Sequence, residues 1–198
     1  MSAGRASAAQ LILVRHGATD WNAEGRLQGR RDIPLSRLGR AQAEQAARAL
    51  SGSGATRVIA SPLARAYETG RAIALAAGCP LETDGDLVER SFGPHEGKRR
   101  AELGYDGSLR EWEGEGIEPY DALTRRALAA LTKHACAHPG ERIVIVSHGA
   151  FLNAFLRAVA PERSYAIGNA SLSEVAYDPA ATPPWRVLRA DEQGHLEA

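Results

Sequence analysis

Three short aliphatic runs interrupt a chain that otherwise mixes polar and apolar positions. Leu11-Ile12-Leu13-Val14, Val58-Ile59-Ala60 and Ile143-Val144-Ile145-Val146 lack polar alternation, the pattern of strands covered on both faces. Helical patterns stand between them. Ser36 is placed to cap an alanine-rich helix running to about Leu50, closed by Ser51-Gly52-Ser53-Gly54. Ser61 and Pro62 read as an N-cap and first helical position of a second helix, Leu63 to Ala77, which Gly78 and Pro80 stop. Leu81-Glu82-Thr83 fits a short strand, Tyr120 to Ala137 a third amphipathic helix, and Ala150 to about Val159 a fourth. Ser171 to Tyr177 and Trp185 to Leu188 read as late antiparallel edge strands. This alternation predicts an α/β fold: a three-layer α/β/α sandwich with a mostly parallel central sheet and an antiparallel edge strand.

The span from Asp84 to Gly116 lacks sustained periodicity and predicts loop with short helices. Long loops in compact domains are commonly functional, so residues 90–120 are expected to form a substrate-facing cap. Residues 1–9 are small and polar and are expected to be disordered, with the first strand starting behind a frayed terminus.

Composition narrows the function more than the fold. The 198 residues suit one domain spanning 1–198, and 44% hydrophobic with 24% charged residues is a globular balance. Lys and Arg total 24, as do Asp and Glu, so the formal net charge is zero and nothing suggests a nucleic-acid surface. Any anion binding must be local. Neither an apolar leader nor an apolar span of membrane length is seen, which predicts a cytoplasmic protein without a membrane partner. Cys79 and Cys136 lack a metal or redox spacing and read as free thiols.

The chemistry lies where the aliphatic runs end. The first passes into Arg15-His16-Gly17, the second into Ser61-Pro62 with Arg65 in the following helical turn, and the third into Ser147-His148-Gly149. If the runs are neighbouring strands, two arginines and two histidines meet at the carboxyl edge of the sheet, where open α/β sheets bind ligands. A guanidinium fork suits phosphate oxygens, and Gly17 permits close approach or a positive φ. Arg65 and His148 each stand at a predicted helix start, where unpaired amides and the helix dipole favour an anion. Thr19 and Asn22 add a hydroxyl and an amide. A surface pairing of Arg65 with Glu68 or Thr69, and a histidine bonded to backbone, are the bland alternatives. Two histidines with a glutamate also compose a zinc set, but flanking arginines would repel the cation.

These residues resemble the signature of the histidine phosphatase, or phosphoglycerate mutase-like, superfamily. The resemblance runs through Leu13-Val14-Arg15-His16-Gly17-Ala18-Thr19-Asp20-Trp21-Asn22, then Gly25-Arg26-Leu27-Gln28-Gly29 and Asp32-Ile33-Pro34-Leu35. It continues in Ala60 to Thr69, Leu87-Val88-Glu89-Arg90-Ser91-Phe92-Gly93-Pro94-His95-Glu96-Gly97 and Val146-Ser147-His148-Gly149, in order along nearly the whole chain. The resemblance implies that His16 is the nucleophile that becomes a phosphohistidine, and that Arg15, Arg65 and His148 neutralise the transferring phosphoryl group. It also implies Glu89 as general acid and Asn22, Thr19, Gly149 and Arg90 as substrate ligands. The partner is a small phosphorylated substrate, and neither a metal nor an organic cofactor is implied.

Glu89 and His148 stand 59 positions apart, similar to the shorter phosphatase branch and unlike mutases with a long insertion there. Hydrolysis is therefore expected. Glu89-Arg90 is nevertheless similar to the mutases' pair, and Lys98-Arg99-Arg100 could meet a second anionic group. His95 stands where phosphatase relatives often carry tryptophan, which bears on substrate preference. Mutase-type phosphoryl transfer and a non-catalytic phosphate-binding module are the other readings; oligomeric state is not specified by sequence. Tyr105, Trp112 and Tyr120 are expected either to cover the pocket or to pack the cap.

Overall fold

A computed structural model describes residues 8–103, 112–163 and 165–196. Six strands form one sheet: β1 (Ala9–Arg15), β2 (Arg57–Ala60), β3 (Leu81–Thr83), β4 (Arg142–Ser147), β5 (Leu172–Tyr177) and β6 (Trp185–Glu192). Their order is β3-β2-β4-β1-β5-β6. The first four pair in parallel, while β5 pairs antiparallel with both β1 and β6. The expected α/β architecture is present, and β6 runs past Leu188 to Glu192.

The strand residues divide between two cores, one on each face of the sheet. Leu11, Leu13, Ile59, Ile143 and Ile145 pack on the face covered by α4 (Tyr120–Ala137) and α5 (Gly149–Val159). Ile12, Val14, Val58, Val144 and Val146 pack on the opposite face, against α2 (Arg37–Leu50) and α3 (Ala64–Ala77). Burial on both faces is why the runs lack polar alternation. A one-turn helix, α1 (Asp20–Ala23), interrupts the loop after β1.

Several local expectations hold. Ser36 accepts the Gly39 N–H at 3.0 Å as N-cap of α2, and Gly78 ends α3 with φ of 66°. Others need correction. Ala9 and Gln10 belong to β1, with Ala9 opposite Tyr177, so the strand begins inside the segment expected to fray. Leu63, not Ser61, occupies the N-cap of α3, and it makes no side-chain cap bond. Asp32 serves instead, accepting the Ala64 N–H at 2.6 Å from the loop after β1.

The span after Asp84 is irregular as expected, with three 3-10 turns at Gly85–Leu87, Gly93–His95 and Arg100–Leu103. Bridges from Phe92 to Ile117 and from Arg26 to Arg99 tie it to itself and to the loop after β1. Trp112 packs on His95 and Phe92 at ring distances of 4.8 and 6.3 Å, and Tyr105 lies outside the described residues. No helix among the described residues is long and apolar enough to cross a membrane. Cys79 and Cys136 are both free.

Candidate active site

Strand register brings the three chemical segments to one level. Val14 lies beside Val146 and Val146 beside Ala60, so Arg15-His16, Ser61 and Ser147-His148 leave the same edge of the sheet together. Gly17 permits the turn that follows by lacking a side chain: a Cβ there would lie 2.3 Å from the Gly39 carbonyl oxygen. Its N–H donates to Thr69 Oγ1 at 3.1 Å.

His16 is 3% exposed. Its Nδ1 lies 2.7 Å from the Gly17 carbonyl oxygen, which can only accept, so Nδ1 carries the proton and Nε2 the lone pair. The Nε–H of Arg65 points at that lone pair from 3.3 Å. Burial, followed by the charges of Arg65 and Arg15, holds the His16 pKa well below its ordinary 6.5. The imidazole is neutral at neutral pH.

Arg65 is fully buried, and its other two nitrogens donate to the carbonyls of Arg31 and Gly29, each at 2.8 Å. The loop after β1 therefore aims this guanidinium, and no surface pairing with Glu68 or Thr69 forms on its side chain. Arg15 donates from Nη1 to the Ile167 carbonyl at 2.6 Å, while its Nε is buried without a partner among the described residues. Burial lowers the Arg15 pKa to about 10, leaving it charged at neutral pH.

His148 lies beside His16 with ring centroids 5.1 Å apart, and its Nε2 is 2.8 Å from the Ser61 hydroxyl. Its Nδ1 is buried and unpartnered among the described residues. Burial, then the charges of Arg65, His16 and Arg15, keep its pKa well below 6.5. Without a ligand the ring is neutral: two arginines and the loss of water disfavour a third cation here.

Glu89 arrives from the loop after the Gly85–Leu87 turn and is 9% exposed. Its Oε1 accepts the N–H groups of Arg90 at 2.9 Å and Phe151 at 3.1 Å, and its Oε2 that of Ala150 at 3.1 Å. The anion that sequence reasoning placed at the helix start after His148 is thus the protein's own carboxylate. Asp32 takes the equivalent place at α3. Both helix starts thus already hold a carboxylate of the protein.

A cavity of about 460 Å³ opens over this group, lined by Arg15, His16, Asn22, Arg65, Glu89 and Gly149 among others. Asn22 Oδ1 accepts from both the backbone N–H and the hydroxyl of Thr19 at 3.0 Å, leaving Nδ2 as the group it can offer a ligand. Thr19 itself is fully buried and does not line the cavity, because it caps α1 and orients Asn22. Arg90 departs from expectation in the same way. It is fully buried, donates to the carbonyls of Glu118 and Trp112 at 2.7 and 2.8 Å, and packs over Phe92 and Tyr120 rather than reaching the cavity.

Sequence reasoning missed several participants. Arg26, Gln28, Asn153 and Arg157 line the cavity. Arg100, from the basic triplet that the sequence offered for a second anionic group, lines it too, whereas Lys98 and Arg99 do not. Asn169 donates to the His16 carbonyl at 3.1 Å. Only Arg26 and Gln28 carried a usable signal, since both fall within the quoted Gly25 to Gly29 motif. Tyr120 lines the cavity, whereas Trp112 packs the cap. No three His, Cys, Asp or Glu side chains gather into a metal-binding group among the described residues.

Comparison with known proteins agrees over nearly the full length. A probable phosphoglycerate mutase GpmB of Enterobacter sp. (strain 638) is 34% identical over 208 residues, covering 96% of this chain and 95% of the relative. An uncharacterized phosphatase PhoE of Bacillus subtilis (strain 168) is 32% identical over 192 residues, covering 94% and 96%. The solved mycobacterial glucosyl-3-phosphoglycerate phosphatase superposes with a TM-score of 0.82 at 25% identity, covering 94% of this chain and 100% of that one. The family profile of the histidine phosphatase superfamily (branch 1) matches residues 11–189, from the strand that delivers His16 to the last strand of the sheet. On sequence, fold and extent together, the chain belongs to the histidine phosphatase superfamily.

Proposed function

We propose that this protein is a cytoplasmic phosphomonoester hydrolase that acts on a small phosphorylated metabolite through a phosphohistidine at His16. The observation that carries the reading is the meeting of a neutral buried imidazole, two guanidinium groups and a carboxyl group around one cavity. Nε2 of His16 attacks phosphorus opposite the ester oxygen, so the N–P bond forms as the P–O ester bond breaks. Glu89 gives its proton to the leaving oxygen, and the Nδ1–H bond to the Gly17 carbonyl supports the positive charge left on the ring.

Arg15 and Arg65 hold fixed charge against the equatorial oxygens, where phosphoryl transfer concentrates it. Nδ2 of Asn22 supplies a further donor, as does the unpartnered Nδ1 of His148, which lies beside His16 but outside the cavity lining, and Gly149 lets the ligand approach the start of α5. A dianionic substrate also favours the protonated state of His148 at the moment of transfer. Water then attacks phosphorus and passes a proton to the Glu89 carboxylate; the N–P bond breaks, and orthophosphate and neutral His16 are regenerated.

Among the described residues the cavity is lined by five arginines and, of the acidic side chains, by Glu89 alone. Arg15 and Arg65 suffice for a phosphate dianion, so Arg26, Arg100 and Arg157 favour a substrate with another anionic group. Relatives that bear phosphoglycerate mutase names at 34% identity favour a second reading, phosphoryl transfer to a phosphoglycerate acceptor. Rapid-quench labelling with a radiolabelled phosphomonoester tests the common step: acid-labile phosphoprotein is expected, and its absence overturns both readings. Incubation with 3-phosphoglycerate, with and without 2,3-bisphosphoglycerate, beside a phosphomonoester panel separates them. Phosphate release should outpace isomerisation.

A further inference from the structure

Glu89 lies on a stretch of backbone that neither a strand nor a helix holds, yet proton transfer demands that its carboxyl be fixed to a fraction of an ångström. Arg126, on α4, reaches this stretch from outside the cavity. Its Nη1 donates to the carbonyls of Asp86 and Val88, each at 2.7 Å, and its Nη2 to the carbonyl of Glu89 at 3.4 Å. The remaining edge of the guanidinium grips Glu118, Nε to Oε1 at 2.9 Å and Nη2 to Oε2 at 2.8 Å. Its Cζ lies over the Phe151 ring, 5.4 Å from the centroid, and the Phe151 N–H donates to Glu89 Oε1.

Arg126 thus touches the backbone that carries Glu89 and the residue that holds its carboxylate, without lining the cavity. The pair is mostly enclosed, with side-chain exposures of 17% for Arg126 and 12% for Glu118. Burial alone would raise the Glu118 pKa, but the hydrogen bonds and charge of Arg126 hold it below the ordinary carboxylate range. Only a planar fork can serve three carbonyls and a carboxylate at once; an ammonium cannot.

We propose that Arg126, braced by Glu118, is a positioning residue that sets the general acid Glu89 against the leaving oxygen. The proposal rests on the reading of Glu89 as that acid. It predicts a defect that depends on how much the leaving group needs a proton. An alkoxide needs one, whereas a dinitrophenolate leaves without it.

The test compares kcat/KM, which reports steps up to the first bond cleavage, for β-glycerophosphate and 2,4-dinitrophenyl phosphate. Arg126→Ala should lose about tenfold or more on the alkyl ester and less than about threefold on the aryl ester. Arg126→Lys should show the same split, because charge without the fork does not restore the geometry. Glu118→Gln, milder in shape, should split in the same direction and keeps the test open if Arg126→Ala fails to fold. Equal losses on both esters, or no loss on either, overturn the proposal. Glu89→Gln is the control: if it shows no split, the acid assignment itself fails, whereas a split in Glu89→Gln without one at Arg126 overturns only the positioning role.

Discussion

Arg65 donates its Nε–H toward Nε2 of His16 at 3.3 Å, so the lone pair of the proposed nucleophile faces a cation before any substrate arrives. This arrangement makes protonation of His16 costly and leaves the ring neutral, the state that the proposed attack requires. A phosphate dianion entering the cavity would take over the guanidinium and release the lone pair.

Stability should fall with acid. His16 and His148 keep pKa values well below 6.5 in the folded protein, whereas the unfolded chain protonates them near that value. Below pH 6.5 the unfolded state therefore binds more protons, and each histidine costs about 1.4 kcal/mol per further pH unit until its folded pKa is reached. A drop in Tm on the order of 5–10 °C between pH 7 and pH 5 is expected by thermal melts. A His16→Asn, His148→Asn double variant should flatten most of that slope; an unchanged slope would refute the neutral pair.

His16→Ala should reduce turnover by a factor on the order of 10⁴–10⁶ and abolish acid-labile labelling. Residual labelling in the variant would locate the phosphoryl acceptor elsewhere.

Ser61→Ala removes the hydroxyl that contacts His148 Nε2 at 2.8 Å, while leaving every arginine in place. The ring loses its orientation, and kcat/KM should fall about tenfold with a smaller change in stability. Steady-state kinetics beside a denaturation curve would check this, and unaltered kinetics would argue against a role for His148 in transfer.

Asp32→Ala leaves the Ala64 N–H without its 2.6 Å acceptor at the start of α3. A loss of about 1 kcal/mol in urea unfolding is expected. Gly17→Ala should cost more, about 2–3 kcal/mol, because its Cβ would press on the backbone of Gly39 rather than on a movable side chain. A reversed order of the two effects would mean that the turn at Gly17 relaxes easily.

Much of this arrangement was legible because it is local. An uninterrupted aliphatic run followed by Arg15-His16-Gly17 states both the strand and what lies at its end, and Ser36 and Gly78 mark helix boundaries through bonds or backbone angles within a few residues. Glu89 illustrates the other kind of information. Resemblance named it, yet its bonds go to Ala150 and Phe151, 61 and 62 residues away, and no local signal states that separation. Arg90 was misplaced for a related reason: an arginine beside an acid looks available to substrate until the loop folds back and its carbonyls claim it. Arg126 reads as an ordinary polar position on an amphipathic helix, and its role emerges only when the irregular segment packs against that helix.

The position of β1 also governs how the chain can fold. Its neighbours in the sheet, β4 and β5, lie at residues 142–147 and 172–177, so the strand leading to His16 has no partner until the later part of the chain exists. An emerging polypeptide must carry that aliphatic run with both edges open through most of its synthesis, a period of exposure to wrong pairing. How well β1 is shielded until β4 arrives would then limit how much folded protein a cell recovers, independently of how stable the finished fold is.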